Sequence, residues 1–199
     1  RYPKVKLGLH QGNPTQIAEQ VLNREADIAI ATESLSRYDG LITLPCYDWH
    51  HCIVVPPKHP LLNEKNTKNA DPGPRLTLAK LAQYPIITYD FAFSGRSKID
   101  AAFAEAKIEP SIALTAIDAD VIKTYVELGL GIVILAELAF IPERDRHLRM
   151  MEAKHLFKPS TTKIAFRKNE YLRGYTYDFI ELFAPHLTRG VVEEAMNHA

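Results

Sequence analysis

The sequence predicts an α/β protein built from two lobes, and three observations lead to this fold class. Short apolar runs typical of strands alternate with longer amphipathic segments typical of helices. Polar turns join a strand to a helix at two widely separated points, His10–Gln16 and Ser94–Ser97. The chain has 199 residues, enough for one large domain or two small ones. We therefore expect largely parallel sheets covered by helices.

The first part of the chain alternates strands and helices up to a polar insertion. In chain order, the pattern predicts strand Val5–Leu9, helix Thr15–Asn23, strands Ile28–Ala31, Leu41–Leu44 and Cys52–Val55, and a short helix that Thr77 caps and that runs to Gln83. Asn13 and Pro14 begin the first helix, since they place a cap before a proline at the first helical position. The stretch Asn63–Arg75 contains Pro72-Gly73-Pro74 and indicates a surface insertion.

The second part repeats the alternation. The pattern predicts strand Ile86–Tyr89, helix Arg96–Lys107, strand Ser111–Thr115, helix Ala119–Leu128, strand Ile132–Leu135, a charged loop Pro142–Arg146 and strand Lys163–Arg167. A last helix, Tyr171–Phe183, is expected to bury one face formed by Leu172, Tyr175, Phe179, Leu182 and Phe183.

Charge and composition narrow the classes of function. The 24 basic and 24 acidic side chains give a net charge of zero, whereas nucleic-acid-binding domains usually carry a basic excess. We therefore expect that this chain does not bind DNA by itself. No apolar run approaches the length of a membrane span, and the start has neither signal-peptide architecture nor a methionine. These features predict a cytoplasmic chain cut from a longer protein.

Cys46 and Cys52 flank a run that includes His50 and His51 and invites a metal hypothesis. In an extended strand Cys46, His50 and Cys52 would share one face, with His51 on the other. No C-x-x-C or H-x-x-x-H spacing supports a metal site, so we favour a hairpin with its turn near Asp48. Low cysteine usage fits a reducing cytoplasm, and the two cysteines allow a disulfide without requiring one.

The two strand–turn–helix junctions are candidate sites for a small anion. The first N–H groups of a helix lack intrahelical acceptors, and the helix dipole adds partial positive charge there. Further donors lie at these turns on Asn13, Thr15, Gln16, Ser94 and Arg96. The first turn carries no Lys or Arg, which suits a reversibly bound oxyanion better than a nucleotide phosphate. The structural alternative is that these residues only cap their helices.

A third helix start, at Asp118 and Asp120, has the opposite charge. Asp118 is expected to cap the helix, and Asp120 complements the dipole from the first turn. This charge would oppose an anion and suit an ammonium group. A zwitterion could satisfy both kinds of helix start.

The segment Asp118–Ile132 resembles the effector-binding domain of LysR-type transcriptional regulators, which typically has an Asp, a Val and then a Gly-Leu-Gly-Ile turn at this point. Ala26–Ile30 and His59–Leu61 also match that family. Within it, the chain is most similar to the cysteine-regulon activators, through Gln11–Ala18, Leu44–Tyr47, Ser94–Ser97, Ser160–Ile164 and Phe183–Arg189. Two features depart from the general family: Glu137 follows Ala136 where most members carry a nearby proline, and the Asn63–Arg75 stretch is longer.

The resemblance implies two Rossmann-like subdomains joined by two crossover strands, a type 2 periplasmic-binding-protein-like architecture. It implies a first subdomain of residues 1–83 plus 164–199 and a second of residues 84–163, with the ligand in the cleft between them. It also implies that the family's winged helix-turn-helix and linker helix are absent from this chain.

The resemblance further implies a sensor of sulfur status without catalysis or a cofactor. Inducers would be O-acetylserine or N-acetylserine, with sulfate or thiosulfate as oxyanions that bind or oppose induction. The family site maps onto Asn13, Thr15, Gln16 and Thr124, with the turn around Ser94 facing them. The implied partners are a second copy in a homodimer of this domain, a homotetramer of the full-length protein, and DNA through the missing part.

Two other classes of function compete with this interpretation. A solute-binding transport protein uses the same two-lobed cleft, but the Asp118–Ile132 motif favours the regulator. An enzyme of sulfur-amino-acid metabolism would need a base or a cofactor lysine in the cleft. Lys123 is the candidate near a motif, and we expect it to be solvated. No nucleophile elbow, metal motif or P-loop occurs in the sequence.

Overall fold

The structure, a computed structural model, describes residues 1–63, 76–90 and 94–198. Its helices are α1 (Pro14–Leu22), α2 (Leu78–Leu81), α3 (Ser94–Glu105), α4 (Ala119–Glu127), α5 (Gly174–Phe183) and α6 (Arg189–Asn197). Its strands are β1 (Ala29–Thr32), β2 (Leu41–Trp49), β3 (His51–Val55), β4 (Ile86–Tyr89), β5 (Ile112–Ala116), β6 (Ile132–Ala136), β7 (Arg149–Glu152) and β8 (Ser160–Arg167). Short 3₁₀ helices occupy Glu33–Arg37, Pro60–Asn63 and Glu137–Ala139.

The chain divides into two compact units, and it crosses between them twice. Unit 1 contains residues 1–48 and the chain from Ser160 onward, and unit 2 contains residues 49–159. The sequence-based boundaries at 83 and 163 differ from these points. The difference at the first boundary arises because β3, predicted to lie in the first lobe, pairs with β6 and β7 of unit 2.

Unit 1 is a three-stranded sheet in the order β1-β8-β2 with helices on both faces. Ile164 and Phe166 of β8 pack into the cluster that contains Tyr177, Ile180 and other residues of α5 and α6. Ala165, on the opposite face of β8, packs with residues of α1. This alternation follows from the two-residue period of a strand and gives β8 its buried pattern.

Unit 2 is a five-stranded mixed sheet in the order β5-β4-β6-β3-β7. β4 is parallel to both β5 and β6, whereas β3 is antiparallel to β6 and β7. One face carries an apolar cluster with Ile99 and Phe103 of α3, and the other carries a cluster with Ile122 and Val126 of α4. Each of these helices therefore begins beyond the carboxyl end of a parallel strand.

Several predicted elements agree closely with the structure. β4 spans the predicted Ile86–Tyr89, and α1 and α4 lie within two residues of their predicted bounds. Thr77 and Asp118 cap α2 and α4 with their side chains, as predicted. The predicted insertion Asn63–Arg75 falls almost entirely outside the described residues.

Three predictions are wrong, and a fourth is only partly right. Val5–Leu9 is not a strand: its apolar side chains are exposed, and the segment pairs with no described strand. The sheets are not largely parallel, since β1 with β8 and β3 with both neighbours are antiparallel. No hairpin turns at Asp48, because β2 continues to Trp49 and β2 and β3 join different sheets. The predicted face of the last helix is only partly right: Leu172, Phe179 and Phe183 belong to the core cluster or pack against it, but Leu182 is 83% exposed, and the buried residues of α5 are Thr176, Tyr177 and Ile180.

Candidate functional site

The start of α1 is closed by a reciprocal cap. The Gln16 N–H donates to Asn13 Oδ1, and the Asn13 N–H donates to Gln16 Oε1, both at 3.0 Å. In this capping box the N–H groups of Asn13 and Gln16 already have acceptors, so neither is free to donate to an anion. The Thr15 hydroxyl is exposed and accepts a hydrogen bond from the Tyr38 hydroxyl at 3.1 Å, so its own proton remains able to donate.

The start of α4 is closed by carboxylates. Asp118 Oδ1 accepts hydrogen bonds from the N–H groups of Asp120 and Val121, at 2.8 and 3.1 Å. Asp120 adds a second carboxylate in the first turn. The exposed Thr124 hydroxyl donates to the Asp120 carbonyl oxygen at 2.9 Å. Because carboxylates already occupy its first turn, this helix start disfavours an anion.

The start of α3 is the one that favours an anion. Its first turn contains Arg96 and no acidic residue. The Arg96 side chain is 14% exposed, and its Nε lies 2.6 Å from Asp100 Oδ1. Its Nη1 donates to the Tyr89 carbonyl oxygen at 3.1 Å. A positive side chain, the helix dipole and the first-turn amides therefore converge at the carboxyl end of β4.

Aromatic side chains pack beneath the same helix start. A Cβ atom on Gly95 would lie 3.4 Å from Trp49 Cη2 and 3.6 Å from His51 Nε2. The Trp49 and His51 rings are 5.0 Å apart, and His51 also contacts the Phe157 ring at 5.4 Å. Gly95 thus allows the first turn of α3 to approach these rings closely. The sequence pattern pointed to His51 only as a potential metal ligand, so this contact was not predicted.

The strand order of unit 2 also points to a ligand site at the carboxyl end of β4. From β4 the chain passes through α3 to β5, and it then returns past β4 to β6 on the other side. The order therefore reverses between β4 and β6, and ligands of open α/β sheets lie at the carboxyl ends of strands where such a reversal occurs. Arg96 contacts the last residue of β4 at this point.

The six predicted site residues thus fall into both units. Asn13, Thr15 and Gln16 lie on or before α1 in unit 1, and Ser94, Arg96 and Thr124 lie on α3 and α4 in unit 2. A separate cavity of about 1080 Å³ lies in unit 1 between the amino-terminal residues and α5, and none of the six lines it. Acidic and basic side chains both line that cavity, and Arg1 Nη1 lies 2.7 Å from Asp178 Oδ2 there.

Lys123 is buried, contrary to the expectation that it is solvated. Its Nζ lies 2.9 Å from Asp145 Oδ1 and from Asp120 Oδ1, and it donates to the Ala139 carbonyl oxygen at 2.9 Å. Burial lowers the Lys123 pKa, but the hydrogen bonds to Asp120 and Asp145 outweigh it and the pKa is raised overall. The ammonium group is therefore charged and fully engaged, which makes it a poor catalytic base.

Neither a metal centre nor a membrane span appears in the described part of the chain. Over residues 1–63, 76–90 and 94–198, no three His, Cys, Asp or Glu side chains are grouped to hold a metal ion. None of the helices in those ranges is long and apolar enough to cross a membrane. Cys46 and Cys52 are both buried free thiols.

Comparisons with known proteins agree over the whole chain. A family model described as the LysR substrate binding domain matches residues 1–188. The HTH-type transcriptional regulators SsuR and CysB of Burkholderia cenocepacia are 51% and 53% identical to this chain and cover 100% and 98% of it. The chain spans only 61% and 60% of the length of these two relatives.

A solved structure confirms the predicted fold class. The cofactor-binding domain of the Cbl transcriptional regulator matches with a TM-score of 0.85 and 38% identity, covering 98% of this chain and 82% of that one. The architecture is therefore the type 2 periplasmic-binding-protein-like fold of LysR-type effector-binding domains. The similarity to cysteine-regulon activators inferred from short motifs is confirmed by CysB and Cbl.

Proposed function

The chain belongs to the LysR substrate-binding domain family, and from this premise we propose that it senses a small effector for a transcription activator of sulfur assimilation and cysteine biosynthesis genes. The observation that carries the proposal is the identity of about half of all residues to SsuR and CysB, over 98% or more of the chain. Relatives named as regulators also favour this function over a solute-binding transport protein.

The proposed ligand is acetylserine or a sulfate-type oxyanion. The start of α3 supports an anionic group on the ligand, because its first turn contains Arg96 and no carboxylate; the Asp100 carboxylate that pairs with Arg96 lies one turn further along the helix. The carboxylates at the start of α4 would pair with an ammonium group, which O-acetylserine carries and N-acetylserine lacks. Sulfate or thiosulfate would use only the α3 site.

The proposed ligand residues are Ser94, Arg96, Thr15, Thr124, Asn13 and Gln16. Thr15 and Thr124 offer exposed hydroxyls. Asn13 and Gln16 would have to exchange their mutual hydrogen bonds for ligand contacts, so we rank them below the other four.

The whole protein would act in the cytoplasm as an oligomer that binds DNA. We propose a homodimer of this domain and a homotetramer of the full-length protein, with DNA contacted by a part outside this chain. The zero net charge of this chain supports the proposal that another part of the protein contacts DNA. Effector binding would change DNA affinity only through a difference in affinity for two conformations.

Titration calorimetry tests the proposal. The chain is titrated with O-acetylserine, N-acetylserine, sulfate, thiosulfate and adenosine phosphosulfate, with chloride as the control anion. We expect saturable one-site binding of at least one acetylserine or sulfur oxyanion and none of chloride. Failure of the whole panel to bind would contradict the proposed ligand class. In the whole protein, the ligand that binds should also change DNA binding in a gel shift, which a transport protein would not show.

A further inference from the structure

We infer that Thr88 is a further ligand-binding residue, whose hydroxyl donates to the small anion held at the start of α3. This inference rests on the proposed function and adds a residue that neither the motifs nor the resemblance assigned. Three observations support it: the hydroxyl has no hydrogen-bond partner, it lies on the α3 face of the sheet, and a cationic side chain contacts the carbonyl of the next residue.

The Thr88 side chain is a buried polar group without a hydrogen-bond partner. The residue is 0% exposed, and within the described ranges its Oγ1 has no partner. Its neighbours in β4 are apolar or aromatic. Leaving a buried hydroxyl unpaired is unfavourable for folding, and valine would fill the same space without that cost. The hydroxyl is therefore available to a partner from outside the fold, and its place on β4 before α3 distinguishes it from the unpaired Ser160 hydroxyl in unit 1.

Strand alternation places the Thr88 side chain on the α3 face of the sheet. Ile87 and Tyr89 pack in the cluster with α4, and Ile86 packs in the cluster with α3. Because successive side chains of a strand point to opposite faces, Thr88 shares the face of Ile86. It is the residue nearest to the carboxyl end of β4 on that face, and the chain enters α3 beyond that end.

The Arg96 guanidinium reaches the backbone of the residue next to Thr88. Its Nη1 is 3.1 Å from the carbonyl oxygen of Tyr89, the residue that follows Thr88. Arg96 thus brings positive charge from the first turn of α3 to the end of β4. A hydroxyl donor, a guanidinium and helix N–H groups form the set of donors that an oxyanion requires.

Access to the hydroxyl requires a movement of the side chains that cover it. Since Thr88 has no exposed surface, an anion cannot reach it while the side chains above it stay in place. One group near this end of β4 that a ligand could displace is Asp100, which pairs with Arg96 and whose side chain is 47% exposed. An anion that replaces the Asp100 carboxylate on the guanidinium would be drawn towards Thr88. Ligand binding and movement of the covering side chains are therefore coupled in this account.

Two substitutions at one position test the inference. Thr88→Val removes the hydroxyl and keeps the shape, whereas Thr88→Ser keeps the hydroxyl and removes a methyl group. Ser160→Ala is the matched control, because Ser160 is also buried with an unpartnered hydroxyl but lies in unit 1. Each variant and the unchanged chain are titrated with sodium sulfate and with N-acetylserine, and their melting temperatures are measured.

We expect Thr88→Val to lose about tenfold or more in affinity for the ligand that binds, with a melting temperature equal to or above that of the unchanged chain. Thr88→Ser and Ser160→Ala should keep the affinity within about threefold. Equal affinity of Thr88→Val and the unchanged chain would overturn the inference and leave the proposed function standing. Loss of affinity in both Thr88 variants, with lower melting temperatures, would also overturn it. If the unchanged chain binds neither ligand, the inference fails, and the wider panel decides the proposed function.

Discussion

Lys123 and Asp145 form a buried ion pair, with Nζ 2.9 Å from Oδ1, that fastens the segment after β6 to α4. Asp145 Oδ2 also accepts the Ile141 N–H at 2.7 Å, and Lys123 donates to the Ala139 carbonyl oxygen. The pair therefore holds three points of this segment against the helix that carries Thr124. The charge pattern of the sequence did not predict this ion pair, because a charged loop is usually solvated.

Lys123→Met should destabilise the chain strongly. Removing one partner of a buried pair leaves the other charge uncompensated, which costs about 3–5 kcal/mol. Urea unfolding followed by circular dichroism measures the loss. Asp120→Asn is the control, because that carboxylate is exposed and its pair with Lys123 contributes about 1 kcal/mol at most. Equal effects of the two variants would show that Lys123 acts through its exposed partner.

Tyr89 should make the chain less stable in strongly alkaline solution. Burial, and then the nearby Cys52, Asp118 and Asp120, raise the pKa of its hydroxyl from 10.0 to about 12. The unfolded chain releases this proton first as the pH rises, so folding stability falls between pH 10 and about 12. Urea unfolding at several pH values should show a shallower loss in Tyr89→Phe. An unchanged slope would contradict the assigned pKa.

Asn13→Ala should destabilise α1 by about 1 kcal/mol, because it removes the side-chain acceptor of a capping box. Asn13→Ser keeps an acceptor and should restore most of that loss. Thermal unfolding measures both variants, and titration with sulfate shows whether Asn13 also contacts ligand. Unchanged unfolding with weakened sulfate binding would mean that Asn13 serves the ligand rather than the helix.

Gly131→Ala should be among the most damaging substitutions in unit 2. A Cβ atom there would lie 2.3 Å from the Pro85 carbonyl oxygen, and a backbone atom cannot rotate away. We expect a loss of about 3 kcal/mol or more, at the upper end of the cost of overpacking. Gly174→Ala is the control, since a Cβ atom there meets nothing within 4 Å. A melting temperature of Gly131→Ala near that of the unchanged chain would contradict the close approach.

The sequence predicted local signals well and non-local partners poorly. Caps such as Thr77 and Asp118 depend on a few adjacent residues, so their pattern is visible in the sequence. Val5–Leu9 has the apolar character of a strand, but a strand exists only with a partner, which a pattern cannot supply. The error at Leu182 has a similar cause, because α5 begins at Gly174 and the surrounding sheet selects which stripe of the helix is buried.

The candidate site shows the same limit. The Ser94–Ser97 turn was visible as a strand–turn–helix junction, and its first-turn Arg96 is where the structure concentrates positive charge. Thr88 and His51 were not identified, since only the sheet order brings their strands to one edge. A hydroxyl among the apolar residues of β4 was the signal that could have pointed to Thr88.

The most direct test of the central claim is an NMR titration of the ¹⁵N-labelled chain with sulfate, read at the backbone amides. The claim is that the first turn of α3 holds the anionic group of the effector. We expect saturable shifts that are largest at Gly95, Arg96 and Thr88, and lost in Arg96→Gln. Shifts that never saturate, or that appear only at exposed lysines such as Lys4 and Lys58, would contradict the account.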